Sequence, residues 1–217
     1  MIVSTVYLPG LDYMSAAAVC SSLLVEHHET YPKQTWRNRC RLLTANGVLD
    51  LVIPVAKPTG RYSKTGEVLI SNHLHWQKQH WRTIASAYAN APYFLYYEDL
   101  IRPYYFRPPP LLLTEWNEKL LMEISGELGF HLEVRHSHHF INPEGHGRDL
   151  RYSFSPKAHK NTMAGAFQWP AYPQVFSAPT GFVPNLSVVD LLFNTGPDAG
   201  TYLQLCGREL FPQFRAG

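Results

Sequence analysis

Apolar and polar positions alternate in several distinct rhythms along this chain. Val3, Val6, Tyr7 and Leu8 lie in a β-branched and aromatic stretch, 3–8, that stops at Pro9-Gly10 and predicts a first strand. The Ala-rich residues 13–24 that follow favour a helix, and 23–27 can form a second strand. A strand, a helix and a strand in this order make a βαβ unit, whose crossover imposes a parallel pair. Residues 39–44 and 48–55 flank Asn46-Gly47, a pair suited to the positive φ angles of a type I′ hairpin turn. Residues 56–66 are polar, with Lys, Pro, Gly, Arg and Ser, and predict a mobile loop.

Helical spacing begins at Trp76. Trp76, His80, Ile84 and Tyr88 recur at intervals of four on one face of a helix expected over 76–89 and stopped by Pro92. Residues 102–110, with Pro103 and Pro108-Pro109-Pro110, predict a stiff irregular connector. Thr114 then caps an amphipathic helix to Leu128, with Trp116, Leu120, Leu121 and Ile124 inward and Gly129 just beyond. Phe130, Leu132 and Val134 alternate with polar residues as in a strand with one wet face. Residues 136–186 carry no sustained period, although Phe167, Trp169, Tyr172, Phe176 and Phe182 can anchor parts of them. Ser187 and Asp190 have the spacing of a capping box ahead of a short helix, 188–193, that is apolar nearly all round and so belongs in the core. A further turn is expected at 201–205, and no internal repeat is visible. The expected fold is α/β: a mixed, Rossmann-like sheet opened by a βαβ unit, with an antiparallel hairpin and flanking helices, in a single domain of residues 1–217.

Composition narrows the class without naming an activity. Hydrophobic residues make up 45% of the 217 positions and charged residues 17%, fewer than the usual ~25%, so the chain is core-rich. A net charge of +2 gives no global field for nonspecific nucleic-acid binding. Cys20, Cys40 and Cys206 are odd in number and unpaired in spacing, as in a reduced, cytoplasmic protein. The start lacks the basic n-region and long apolar core of a secretory signal, and no apolar run reaches the ~18 residues of a membrane span.

The densest chemistry lies at 31–41, where Lys33, Arg37, Arg39 and Arg41 have no acid among them. In an extended strand the three arginines share one face, and guanidinium forks hold phosphate or carboxylate bidentately while Lys33 adds a point charge. The same charges would also guard a solvated sheet edge. His80, on the apolar face of its helix, is either a general base or a core histidine bonded to backbone. Histidines also gather at His27-His28, His73, His75, His136, His138, His139, His146 and His159, but no metal-binding spacing supports a metal site. P-loop, dinucleotide-fold and nucleophile-elbow motifs are absent. Pro9-Gly10 leaves a place for an anion at the amino end of the first helix. Asp190 reads either as a cap partner or as a buried carboxylate paired with an arginine of the basic segment.

Taken together, several segments resemble the WbqC-like proteins, a bacterial family associated with surface-polysaccharide gene clusters. The residues that carry the resemblance are Tyr7-Leu8-Pro9 with Tyr13; Tyr31, Lys33 and Arg37-Asn38-Arg39 leading to Asn46-Gly47 and Ile53-Pro54-Val55; and Trp76, His80-Trp81, Ile84, Tyr88 and Pro92-Tyr93-Phe94. The most specific run follows Tyr172, Gln174 and Phe176: Gly181-Phe182, Pro184-Asn185-Leu186-Ser187, Asp190-Leu191-Leu192-Phe193-Asn194 and Gly196. After the first proline many members carry a Gly-Tyr-Phe run, where this chain has Leu11-Asp12-Tyr13-Met14. The resemblance implies transfer of a glycyl or similar acyl group to an amino sugar of the O-antigen. On that expectation Lys33, Arg37 and Arg39 face the anion of an activated donor and His80 is the base. Tyr13, Asn38, Gln174, Asn185 and Asp190 then line or brace the pocket. The expected partner is a small anionic molecule, and nucleic acid is not expected; cofactor and oligomeric state stay open. A nucleotidyltransferase-like enzyme, which would lack its His-x-Gly-His pair, and a binding module using 33–41 are the alternatives.

Overall fold

A computed structural model describes residues 1–72, 75–143, 148–154 and 166–214. The opening βαβ unit is present: β1 (Ile2–Val3) and β2 (Ser22–Val25) pair in parallel across α1 (Leu11–Cys20). A later strand, β7 (Glu133–His136), lies parallel on the far side of β2, giving the order β1-β2-β7. An isolated parallel bridge from Ile2 to Asp149 extends the β1 edge. The expected first strand, 3–8, pairs only at its start. From Ser4 the chain leaves the sheet and crosses its carboxyl end, with Val6, Tyr7 and Leu8 buried and the Tyr7 N–H donating to the Trp36 carbonyl at 2.9 Å. The apolarity of this stretch reflects burial rather than strand pairing.

The hairpin forms from β3 (Arg39–Thr44) and β4 (Gly47–Val52), but its turn is not the one expected. Thr44 pairs with Gly47, so Ala45-Asn46 form the tip, and only Gly47 takes a left-handed φ, 95°. Thr44 Oγ1 donates to the Gly47 carbonyl at 2.8 Å and accepts the Asn46 N–H at 3.3 Å, a side-chain clasp that moves the turn back by one residue. A small ladder of β5 (Val55–Ala56) and β6 (Leu69–Ile70) follows. The intervening polar loop carries two 3-10 turns, Gly60–Tyr62 and Thr65–Glu67. It is stitched to the body by Tyr31 N–H to Ser63 O and Thr65 N–H to Glu29 O.

α2 (Trp76–Tyr88) buries the four-spaced stripe of Trp76, His80, Ile84 and Tyr88. The connector expected at 102–110 is largely helix instead, because α3 (Phe94–Phe106) runs through Pro103. Phe94, Tyr97, Ile101 and Tyr105 form a buried stripe on it, and packing of that stripe outweighs the backbone hydrogen bond that Pro103 cannot donate. α4 (Leu113–Glu127) starts at Leu112 with no side-chain cap. Thr114 lies buried in its first turn, and the Leu113 N–H donates to the Val68 carbonyl. Gly129, at φ 77°, follows the helix as expected. Phe130 and Leu132 are buried just before β7 rather than within it. Three further helices close the described chain: α5 (Ser177–Thr180), α6 (Val188–Thr195) and α7 (Asp198–Leu210), the last longer than the single turn expected.

α7 lies so close to α1 that a methyl group at Gly207 would fall on the Ser15 carbonyl oxygen and crowd the Val19 side chain. Backbone cannot yield as a side chain can, so Gly207→Ala is expected to lower unfolding free energy by about 1–3 kcal/mol. Gly126, in the last turn of α4, meets nothing within 4 Å of an added methyl, and Gly126→Ala is expected to raise it by about 0.5–1 kcal/mol. Urea unfolding of the two variants beside the parent chain measures both.

Candidate functional site

The segment after β1 and the segment before α6 meet at the amino end of α1. Gly10 is the extended N-cap residue of α1 and bridges Ser187. Three first-turn donors are taken in succession: Leu11 N–H by the Leu186 carbonyl at 3.1 Å, Asp12 N–H by Asn185 Oδ1 at 2.9 Å, and Tyr13 N–H by Asp12 Oδ1 at 2.8 Å. Ser187 completes the seam. Its hydroxyl donates to the Leu8 carbonyl at 2.9 Å, and its N–H to the Arg41 carbonyl of β3 at 2.9 Å. A side chain at Gly10 would crowd Asp12 Oδ1 at 2.9 Å and Asn185 Oδ1 at 3.1 Å, so glycine is required by close approach. The amino end of α1 is therefore sealed by its own chain, and the anion expected there has no free donors to meet.

Two residues beside this seam hold left-handed backbone, Leu8 at φ 39° and Asn185 at φ 50°. Asparagine tolerates this conformation, whereas for leucine it stores strain on the order of 1–3 kcal/mol that the surrounding hydrogen bonds must hold. Between them lies a narrow crevice of about 10 Å³, room for a single water, walled by Tyr7, Leu8, Gly10 and Asp12, by Trp36, Arg39, Cys40 and Arg41, and by Asn185 and Ser187. Cys40 and Leu42 turn into the core, which leaves Arg39 and Arg41 on the opposite face of β3. Arg41 is committed: it stacks on Trp36 at 4.9 Å, and its Nε donates to Asp50 Oδ1 at 3.0 Å. Arg39 is not. Its Nε is shielded from solvent without an acceptor, and it forms no ion pair among the described residues.

The other expected site residues lie elsewhere. Arg37 is buried rather than aligned with Arg39, because 31–38 is a turn-rich loop and not an extended strand. Its guanidinium pairs with Glu29 and donates to Ser4 Oγ at 2.6 Å. Lys33 is exposed on that loop. Asn38 is buried and donates from Nδ2 to the Ile53 carbonyl at 2.8 Å. Tyr13 is fully enclosed, edge-on to Phe154 with ring centroids 5.1 Å apart, and burial raises its phenol pKa. Asp190 is neither a cap partner nor an arginine partner. Its Oδ2 accepts from Tyr172 OH at 2.6 Å and from Gln174 Nε2 at 3.0 Å, and burial raises its carboxyl pKa against those bonds. Gln174 also exchanges hydrogen bonds with the Val183 backbone in both directions. Gln174 and Asp190 thus brace the strand-like run that delivers Asn185. Arg39 and Asn185 are the expected residues that share the cleft. Tyr7, Asp12 and Trp36 join them, and the signals for these were the Pro-Gly break and the tryptophan embedded in the basic segment.

His80 lies in the core and does not line the cleft. Its Nδ1 is 2.9 Å from Tyr7 OH, which is 2.6 Å from Tyr105 OH. Burial lowers its pKa to about 4, opposed by a hydrogen bond to the Val52 backbone. Of the other histidines, His27 and His136 stack at 4.5 Å, and His136 Nε2 is 2.8 Å from Glu118. No group of three potential metal ligands converges among the described residues; His73, His146 and His159 lie outside them. No helix among the described residues is long and apolar enough to cross a membrane.

These segments define a known protein class. The chain matches the model of the WbqC-like protein family over residues 5–168 and 154–202, and it belongs to that family. It is similar to the "Uncharacterized protein Rv1507c" of Mycobacterium tuberculosis (strain ATCC 25618 / H37Rv), with 27% identity over 225 residues that cover 94% of this chain and 97% of that one. No solved structure matches the chain significantly.

The placement of His80 has a measurable consequence. Between its ordinary pKa of 6.5 and its value of about 4 in the fold, the unfolded chain binds a proton that the native chain does not. Its contribution is therefore complete above pH 6.5 and is lost as the pH falls toward 4. Acidification from pH 7 to pH 5 is expected to remove about 2 kcal/mol through this group, and His80→Gln should flatten that loss in urea titrations at the two pH values. An equally steep loss in the variant would assign the acid sensitivity to other groups.

Proposed function

We propose that this WbqC-like protein is a group transferase of surface-polysaccharide biosynthesis. It holds the anionic part of an activated donor in the Arg39 cleft and passes a glycyl or related acyl group to an amino sugar. The observation that supports this reading is the uncommitted Arg39 guanidinium in a cleft whose other arginine is already paired. A partly shielded guanidinium without a counter-charge is poised for a phosphate or carboxylate, which it can grip with two parallel hydrogen bonds.

The remaining walls suit such a donor. Half-buried Trp36 borders the crevice, and Asp12 and Asn185 close it on a backbone held by the α1 seam. On this reading residues 1–217 work as one domain in the cytoplasm. Arg37 contributes by positioning the basic loop rather than by touching the donor. Gln174 and Asp190 contribute by fixing Asn185.

Thermal unfolding of the purified protein with non-hydrolysable aminoacyl-adenylate analogues as donors, and with nucleotide-linked amino sugars as acceptors, tests the reading. A donor of the right class at about 100 times its dissociation constant should stabilise the fold by about 2.7 kcal/mol, and Arg39→Ala should remove that gain while unfolding normally without ligand. A screen in which no donor shifts the parent chain, or in which Arg39→Ala responds as the parent does, would sink it.

A further inference from the structure

A groove of ligand size runs along the outer face of α4, between that helix and the end of α3. One part has a volume of about 470 Å³ and is lined by Tyr104, Trp116, the triple proline 108–110 and the charged groups of Asp99, Arg107, Lys119 and Glu123. A second hollow of about 390 Å³ continues it, sharing Tyr104, Lys119 and Glu123 and adding Glu115, Glu118 and Met122. Volumes of about 300–1,000 Å³ are those of small-molecule sites. The groove shares no lining residue with the Arg39 crevice. Three rings stand between the two: Trp116 packs against Tyr105 with centroids 5.9 Å apart, and the Tyr105 hydroxyl meets that of Tyr7, a wall of the crevice.

The walls are fixed before any ligand arrives. Tyr104 stands edge-on to Trp116 with ring centroids 5.9 Å apart, and its hydroxyl donates to Glu123 Oε2 at 3.4 Å. Gln77 of α2 donates from Nε2 to the Tyr104 and Arg107 carbonyls, both at 2.8 Å. Beyond the prolines, the Ile70 N–H of β6 donates to the Leu111 carbonyl at 2.9 Å. The proline wall, stiff by its own rings, is thus pinned at both ends, and a preformed wall spares a ligand the cost of ordering it.

The chemistry of the lining selects among ligands. Tyr104 and the prolines present flat apolar surface, and charged groups stand around it. Asp99, Arg107, Glu115, Lys119 and Glu123 form no ion pair among the described residues, so most of their hydrogen-bonding capacity is unspent. A pyranose has the complementary form, an apolar ring face edged by hydroxyls. The carboxylates of Asp99, Glu115 and Glu123 outnumber the cations of Arg107 and Lys119, while Glu118 is engaged by His136 at 2.8 Å. The local field therefore favours a ligand that carries positive charge. An extended peptide fits less well, because it needs main-chain partners. The prolines have no N–H to offer, and the α4 backbone is bonded within its own helix.

We propose that this groove binds an amino sugar, its ring against Tyr104 and the triple proline and its ammonium toward the carboxylates of Asp99 and Glu123. Binding here needs nothing from the Arg39 crevice and so goes beyond the reaction proposed above.

Isothermal titration of the full chain with a glucosamine disaccharide, its N-acetylated form and ethanolamine tests the proposal. The glucosamine disaccharide should bind at least about tenfold more tightly than the N-acetylated one, because acetylation removes the charge-assisted hydrogen bonds. Asp99→Asn combined with Glu123→Gln, both at exposed positions, should erase that advantage without changing the unfolding midpoint. Arg39→Ala should bind the disaccharide as the parent does. Equal affinity for the two disaccharides, no binding of either, or an advantage that survives the carboxylate variant overturns the proposal. Ethanolamine binding as tightly as the disaccharide also overturns it, since the ring would then contribute nothing. Loss of disaccharide binding in Arg39→Ala would move the sugar to the crevice, overturning the groove site and leaving the donor reading intact.

Discussion

The arrangement of the cleft depends on the buried ion pair between Arg37 and Glu29, which joins the basic loop to the carboxyl end of the parallel sheet. Both side chains are nearly devoid of solvent contact, and Ser4, just past β1, shares the bond. Removing two charges from water is expensive, and what compensates is good geometry with the remaining lone pairs and protons satisfied. Here Glu29 Oε1 accepts from Arg37 Nε at 3.1 Å and from Ser4 Oγ at 2.8 Å, while the Arg37 carbonyl accepts from Asn117 of α4. Loss of either charge alone would strand the other at a cost of about 3–5 kcal/mol. A second buried network, Arg151 with Glu26 and Asp149, clamps the same end of the sheet. With the loop fixed in this way, Lys33 remains outside, and Arg39 emerges at the head of β3 beside the sealed end of α1.

That seal changes where charge can be recognised. In many α/β proteins the helix after the first strand lends its free N–H groups to an anion. In this chain Leu186, Asn185 and Asp12 have taken those groups. On the reading proposed above, recognition falls instead to Arg39 at the head of the hairpin. Strain at Leu8 and Asn185 fits the same picture, because a backbone held in a sparsely populated conformation stays in place when a ligand arrives. The WbqC-like family match spans both halves of this assembly, from the first strand to the α6 region.

Much of the architecture is legible from local pattern. The βαβ opening, the β3–β4 hairpin and the stripes of α2 and α4 follow from periodicity, since burial of one face requires apolar residues at that period. Departures occur where a longer-range contact outweighs the local rule. Pro103 sits inside a helix because Ile101 and Tyr105 must reach the core, and the Thr44 hydroxyl moves a turn that Asn46-Gly47 would otherwise have made. The candidate site is legible to a lesser degree. Arg39 and Asn185 were identifiable as candidates, but Arg37 is the same residue type two positions away and plays an entirely different part.

The sequence by itself determined the elements, their order, the apolar faces and the presence of a dense basic segment, because each depends on neighbours within a few positions. It could not assign partners. Whether an arginine is spent on a buried carboxylate or left without an ion pair depends on Glu29 and Ser4 approaching Arg37 from other elements, and on no carboxylate pairing with Arg39 among the described residues. Likewise His80 became a neutral core group only when Tyr7 and Tyr105 closed around it, and Lys57 came to lie over the Tyr31 ring only through the packing of two loops. Burial and pairing are properties of the assembled fold, so the state of each charged group was decided there.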